Sequence, residues 1–316
     1  MALNPLELFG QLPGAAAQGL IWGIMAIGVY ITYKILNIAD LTVDGSFCTG
    51  GAVCVMMLLG GADIGTALLF AFLAGLLTGA ATGFFHTFCG ISAILAGILT
   101  QLGLWSVNLA IMGKANQSIN VNNYDLLVSL RYLQEVANGS RPFYWSPIFV
   151  VSIFVVVIIA LLYWFFGTEL GSSIRATGDN LNMAHAQGIN NNFNKMLGLM
   201  LSNGMVALSG ALLSQYQGFA DINMGRGAIV IGLAAVIIGE VLFSKIFRNF
   251  AFRLLGVVIG AIIYYMVIQT VLWMRLDSNY LKLLSALVVG GFLAIPHWKA
   301  KYFTITRTRK GGSGNA

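Results

Sequence analysis

Charge is scarce in this sequence. Only 9% of its 316 residues are Asp, Glu, Lys or Arg, against roughly 25% in an ordinary soluble domain. That shortage excludes a water-soluble globular protein. Cysteine is scarce too: Cys48, Cys54 and Cys89 are odd in number, sit in or beside apolar runs and lack metal-ligand spacing. They imply neither a disulfide framework nor a zinc site. The three histidines, His86, His185 and His297, are far apart and fall near the ends of apolar runs, so they suit membrane interfaces better than a metal. No G-x-x-x-x-G-K-[ST] run exists, so the chain is not expected to bind or hydrolyse ATP by itself. Catalytic residues, cofactors and metals are therefore expected to be none. No basic region precedes the first apolar run, which is of full spanning length, so no cleavable signal is expected. The terminal stretch 311–316 resembles a linker remnant and is set aside.

What remains is apolar. The chain is 58% hydrophobic, with a mean hydropathy of +0.83. Its runs are continuous and about 20 residues long, which fits membrane helices and not the alternating strands of about 10 residues in barrels. The fold class is an all-α polytopic membrane protein in a lipid bilayer, with about nine transmembrane helices (8–10). The segments are 13–36, 44–59, 64–85, 91–113, 147–166, 195–213, 228–243, 254–273 and 281–296. The second and seventh are short and begin with polar, glycine-bearing lead-ins, as broken or partly re-entrant helices do. The net charge of +6 fits basic loops facing a cytoplasm and calls for no nucleic-acid partner.

The longest polar interval lying directly between two apolar spans is 168–190, TELGSSIRATGDNLNMAHAQGIN. Polar backbone and charge must leave the hydrocarbon. Asp179 or Asn180 caps a short helix over 181–187, and Gly188 stops it. With this interval on the cytoplasmic side, 11 of the 17 basic residues face inward: Lys34, Arg175, Lys195, Lys245, Arg248, Arg253, Lys299, Lys301, Arg307, Arg309 and Lys310. The N-terminus then lies outside. The domain reading is one transmembrane unit: a first repeat (13–113), an external loop (114–146), a cytoplasmic segment (167–192), a second repeat (193–297) and a basic tail (298–316). Within the external loop, 124–137 has apolar residues at helical spacing and is expected to lie on the outer surface as an amphipathic helix.

Two stretches echo each other. Residues 37–46 read NIADLTVDGS and residues 218–228 read GFADINMGRGA. Each follows a long apolar helix, contains Ala-Asp and leads into a short span. This is the arrangement of an inverted repeat with broken helices near the midplane. Gly19/Gly23, Gly75/Gly79/Gly83 and Gly256/Gly260 recur at four-residue spacing, which suits close helix packing within the chain or a subunit interface. The polar residues Gln101, Asn108, Ser202, Asn203 and Gln269 inside spans either bond helix to helix or line a polar path. The expected path residues are Asn37, Asp40, Asp44, Ser46, Gln101, Trp105, Asn108, Asp221 and Asn223. Asp44 and Glu240 are the two carboxylates that fall inside spans, either as helix caps or as ion sites.

The run from Gly171 through Arg175, Gly178, Asp179 and Asn180, followed by Ala184 and Gly188-Ile189-Asn190, resembles the cytoplasmic signature of bacterial ABC importer permeases. The branch is the one serving branched-chain amino acids, ribose and related solutes. Residues 37–46, Gly210-Ala211 and Gly239 fit the same pattern, and the likeness covers roughly 13–297. The wording of 40–46 is similar to a tryptophan/tyrosine-type sub-branch. The resemblance implies a type II-like permease fold in the bacterial cytoplasmic membrane. It implies a homodimer of permeases, two cytoplasmic ATPase subunits and an external solute-binding protein. Arg175, Gly178, Asp179, Asn180, Ala184, Gly188, Ile189 and Asn190 would form the coupling helix and its ATPase contact. A charge departs from the family pattern: Glu240 stands where a second glycine is usual. A secondary transporter or channel working without an ATPase is the alternative reading.

Overall fold

Hydrocarbon offers no water to a backbone, so each spanning segment must satisfy its own N–H and C=O groups, and helices do this. The computed structural model describes residues 5–121, 124, 126–243 and 249–273, with scattered positions between 283 and 294. Apart from those positions, the ninth expected segment (281–296), the basic residues Lys245, Arg248, Arg275 and Lys282, His297 and the 298–316 tail lie outside the described residues. The long helices are α1 (Pro5–Tyr30, continued by a π turn at Ile31–Ile35), α3 (Ile64–Thr87), α4 (Ala93–Met112), α6 (Pro147–Gly167), α9 (Asn191–Gln217) and α11 (Phe250–Trp273). Between them lie α2 (Val43–Leu59), α5 (Leu130–Ala137), α7 (Glu169–Asp179), α8 (Leu181–Ala186) and α10 (Ala228–Phe243).

The first eight expected apolar segments are all helical, and among the described residues six of these helices are long and apolar enough to cross a membrane. Helices α2 and α10 have 17 and 16 residues. At 1.5 Å per residue each reaches about 25 Å, short of a hydrocarbon core of about 30 Å. Helices α1 and α9 are central: 83% and 78% of their apolar windows are buried, against 28% for α4 and α6.

Two expectations are corrected. The chain is not purely helical, because β1 (Asn116–Ser118) pairs antiparallel with β2 (Phe219–Asp221). Bonds from Ile119 N to Gly218 O (2.8 Å) and from Ile222 N to Ala115 O (2.9 Å) flank the pair. The loop after α4 and the turn after α9 are thereby tied together, using backbone groups that no helix satisfies. The amphipathic helix is also shorter than 124–137. It begins at Leu130, after Ser129, whose hydroxyl accepts from Arg131 N. Leu126, Val128 and Tyr132 are buried, and Leu127 N donates to the Gln215 amide oxygen at the end of α9 (3.2 Å). The apolar residues before Ser129 therefore pack inward without forming a helix.

The glycine stripes pack helix to helix within the chain. A Cβ on Gly75 would lie 2.8 Å from Gly204 Cα, one on Gly79 2.6 Å from Met200 Cα, and one on Gly83 2.7 Å from Met196 Cγ. All three face α9. Gly19 and Gly23 meet α11, and Gly256 and Gly260 meet α10. The backbones of α3 and α9 leave no room for side chains here, and forced overpacking costs about 1–3 kcal/mol. We expect Gly79→Val to lower the unfolding temperature of the detergent-solubilised protein. Gly103→Val, with open space around it, serves as the neutral control. Equal unfolding temperatures for the two variants would rule out the close packing.

Candidate functional site

A helix start exposes N–H groups with no intrahelical partner. Here two such starts meet. After α1 the chain turns at Asn37, whose φ of 54° is a left-handed conformation that Asn tolerates well. Residues 37–42 lead back to α2, which begins beside Asn203, near the middle of α9. Asp44, in the first turn of α2, points its carboxylate at the start of α10. Its two oxygens accept from Gly227 N (2.9 Å) and Ile229 N (3.0 Å). Cys48 adds to the junction: its thiol donates to Ile222 O (3.3 Å) and its sulfur accepts from Gly225 N (3.2 Å). The two echoing stretches, 37–46 and 218–228, are thus in direct contact. Asp44 caps a helix, but not its own.

Asp40 and Ser46 lie in a closed polar knot. Asp40 is 2% exposed; it accepts from Thr42 N (2.9 Å) and from Asn203 Nδ2 (2.7 Å). Ser46 donates to Asn203 Oδ1 (2.6 Å) and bonds Thr78 (2.8 Å). Thr42 bonds Thr82 (2.6 Å). Sequence reasoning passed over Thr42, Thr78 and Thr82, whose hydroxyls give no periodic signal. Asn203 was flagged only as a polar residue within a span. Of the other polar residues flagged there, Ser202 donates to Gly28 O (2.7 Å), Gln269 to Gln11 (2.7 Å) and Asn108 to Gly45 O (3.4 Å). These three bond helix to helix.

The remaining expected path residues are dispersed. On α4, Asn108 is buried with its Oδ1 unpaired, Gln101 is half-buried and Trp105 is 47% exposed. Asp221 accepts from Asn223 N (2.7 Å) and from Asn116 Nδ2 (3.3 Å) beside the β-ribbon, and Asn223 is exposed. Asn37 lies at the opposite end, next to α7.

Helix α7 was not anticipated, because its Gly-Ser-Ser and Gly-Asp content reads as loop. The available signal was Thr168, whose hydroxyl caps Gly171 N (3.3 Å), with Glu169 in the first turn. Asn180 caps α8 as expected, accepting from Asn182 N and Met183 N (both 3.1 Å). The chain leaves α8 through Gly188 at φ 78°, and Asn190 then caps α9 at Phe193 N (3.1 Å). Ile189 N returns to Ala184 O (3.1 Å). Ala184 is fully buried, while Leu181 and Met183 are 45% and 47% exposed. The pair α7–α8 is fixed to the body. Thr177 and Ser173 bond Asn194 of α9. Gly178 abuts the Ile35 carbonyl so closely that a Cβ would overlap it. Arg175 turns back toward the body, donating to Phe166 O and lying over the Phe250 ring. Asp179 is the exposed last residue of α7. At this same face Glu240 of α10 pairs with Lys34 of the π turn at 3.0 Å, which gives the unexplained charge a partner.

Comparison with known proteins places the chain. It belongs to the family described as branched-chain amino acid transport system / permease component, whose model matches residues 12–297. It is thus a multi-pass membrane component of an ABC-type transport system, in which ATPase activity belongs to partner subunits. It is 40% identical over 277 residues to a tyrosine transport system permease protein of Clostridioides difficile (strain R20291), covering 88% of each chain. An uncharacterized protein of Rickettsia prowazekii (strain Madrid E) is 35% identical over 277 residues, covering 87% of this chain and 94% of that one. An autoinducer 2 import system permease protein of Yersinia pseudotuberculosis serotype O:1b (strain IP 31758) is 28% identical, covering 88% and 74%. The solved structure of PsaBC from Streptococcus pneumoniae in complex with Fab shares the fold, at a TM-score of 0.55 and 16% identity, covering 96% of this chain and 100% of that one.

The knot yields a prediction. Asp40→Leu removes the acceptor from Thr42 N and from one Asn203 hydrogen. Each buried group left unsatisfied costs about 1–3 kcal/mol. Asp40→Asn keeps an acceptor for Thr42 N, so its loss is expected to be the smaller. Thermal unfolding in detergent should rank wild type above Asp40→Asn above Asp40→Leu.

Proposed function

We propose that the chain is the membrane subunit of an ATP-driven importer in the bacterial cytoplasmic membrane, working as a homodimer. Two cytoplasmic ATPase subunits dock on α7–α8, and a solute-binding protein delivers a small solute to the face that carries the β-ribbon. The solute class is an amino acid, with aromatic amino acids first to test, given the 40% identical tyrosine permease. The observation that carries this reading is α8 itself. It is a capped helix of six residues with one buried alanine, exposed apolar side chains at Leu181 and Met183, and contacts with α7 and α9. A compact element of this kind passes a push from an ATPase into the body instead of absorbing it.

The route of that push is α8 to α7, then through Gly178 to the π turn of α1, through Lys34 to Glu240 of α10, and through the start of α10 to Asp44 of α2. Residues 13–113 and 193–297 form an inverted repeat about an axis in the membrane plane, with 37–46 and 218–228 as corresponding breaks. The solute passes between the two copies, beside the Asp44 junction and the α4 face bearing Gln101, Trp105 and Asn108. Asp221 and Asn223 stand at its outer mouth, and Asp40 and Ser46 hold its wall. One observation favours the alternative, an ion-coupled carrier: Asp40 is a carboxylate at depth. Its oxygens are, however, already taken up by Thr42 N and Asn203, as in a structural anchor.

Proteoliposomes holding the permease, its ATPase and its binding protein test the reading. We expect uptake of a labelled aromatic amino acid to require ATP and to survive collapse of ion gradients by ionophores. Replacing 184–188 with a flexible Gly/Ser segment should abolish uptake while ATP hydrolysis continues. Uptake by the permease alone along an ion gradient, or unchanged uptake by the Gly/Ser variant, would overturn it. The Lys34–Glu240 pair gives a second test. Glu240→Lys should impair uptake, and combining it with Lys34→Glu should restore most of it if the contact transmits the push.

A further inference from the structure

A cavity of about 840 Å³ opens between the end of α1, α7 and the first turn of α11. Its wall residues Lys34 and Gly178 stand on the route proposed above, but that reading gives the space between them no occupant. Its wall carries three cations, Lys34, Arg175 and Arg253, and one carboxylate, Asp179. Lys34 is neutralised by Glu240, so two arginines face one acid. The arginines are held in place. Arg175 is fixed by the Phe166 carbonyl and the Phe250 ring, and Arg253 lies against the Tyr30 hydroxyl. Phe250 and Arg253 also belong to the first turns of α11, a 24-residue helix whose positive end adds to the field. Tyr33, 42% exposed, stands on the wall as an aromatic ring does at a membrane interface. Basic pockets between membrane helices at an interface take lipid phosphates, and planar guanidinium groups match phosphate oxygens in pairs.

We propose that this cavity binds a phosphate group at the α7–α8 face of the membrane. An acidic phospholipid headgroup is one source and a free phosphate ion the other. Occupancy bridges α1, α7 and α11, and α7 is a helix against which α8 packs. The inference rests on the membrane placement of the chain alone, so it stands or falls apart from the transported solute and from the ATPase contact.

Native mass spectrometry of the purified full chain tests it, using phosphatidylglycerol, phosphatidylcholine and inorganic phosphate as probes. We expect phosphatidylglycerol to bind more tightly than phosphatidylcholine. Arg253→Gln and Arg175→Gln should each weaken phosphatidylglycerol binding about five-fold, as expected for losing one cation near a lipid surface. Lys114→Gln, far from the cavity, should change nothing. Competition by millimolar inorganic phosphate assigns the site to any phosphate, and absence of competition restricts it to the headgroup; both outcomes support the site. Because Arg175 also braces α7, unfolding temperature is read in parallel, and Arg253→Gln with wild-type stability is the deciding variant. Equal binding of the two lipids, unchanged binding by Arg253→Gln, or an equal loss in Lys114→Gln would overturn the proposal.

Discussion

One carboxylate faces the starts of two helices. A broken helix in hydrocarbon leaves several N–H groups without partners, and each costs free energy that no solvent refunds. Asp44 answers this by sitting in the first turn of α2 while accepting from Gly227 N and Ile229 N at the start of α10. Its charge lies near the positive ends of both helix dipoles, which is where an anion is most easily carried without a cation. Two helices too short to cross the membrane are thereby joined. Neither break could persist alone, so the remaining packing is arranged around the contact.

That packing has two textures. Around the junction, backbones approach as closely as glycine permits: Gly50 meets the Ala207 carbonyl, Gly210 the Phe47 carbonyl, and Gly225 the Asp44 carbonyl. The same proximity lets the Ser46 hydroxyl reach Asn203 on α9 at 2.6 Å, and lets Thr78 and Thr82 of α3 reach Ser46 and Thr42 at 2.8 and 2.6 Å, so the knot depends on the glycines as much as on the polar atoms. Farther out, α4 and α6 turn most of their apolar surface outward, as lipid-facing helices do. A rigid interior with an apolar rim is the form a gate needs if it is to move as a unit against another chain.

The sequence declared helices plainly and depth poorly. Continuous runs between polar breaks located α3, α4, α6, α9 and α11 within a few residues and α1 apart from its start at Pro5, and the short lengths of α2 and α10 flagged them as broken. Asn180 and Gly188 marked α8 because caps are local chemistry. What was illegible was pairing. The echo between 37–46 and 218–228 suggested corresponding breaks, yet nothing in either stretch says that Asp44 reaches Ile229 across 185 positions. Asp40 reads as a path residue because a carboxylate near a break resembles a site; nothing local says that it bonds Asn203, 163 positions away. Helix α7 was missed because glycine and serine argue locally for a loop, while its stability comes from tertiary contact with α1 and α9. Glu240 was a departure without a reason until Lys34, 206 positions away, supplied one.

The two ends of α10 differ in kind, and the difference has a direction. Its start is held by a partly buried carboxylate through two backbone bonds, and losing that acceptor would orphan two partly buried donors, at a cost of up to about 1–3 kcal/mol each. Its far end is held by an ion pair whose side chains are 46% and 32% exposed, and such a pair is worth about 0–1 kcal/mol. By these two contacts alone, α10 is held more firmly at its Asp44 end than at its Lys34–Glu240 end. The π turn at Ile31–Ile35 lies beside the weak end, in a segment whose backbone bonds are already rearranged. It is also where Gly178 of α7 presses on the Ile35 carbonyl. The more weakly held end of α10 and the packed face of α7 therefore meet at one segment of α1.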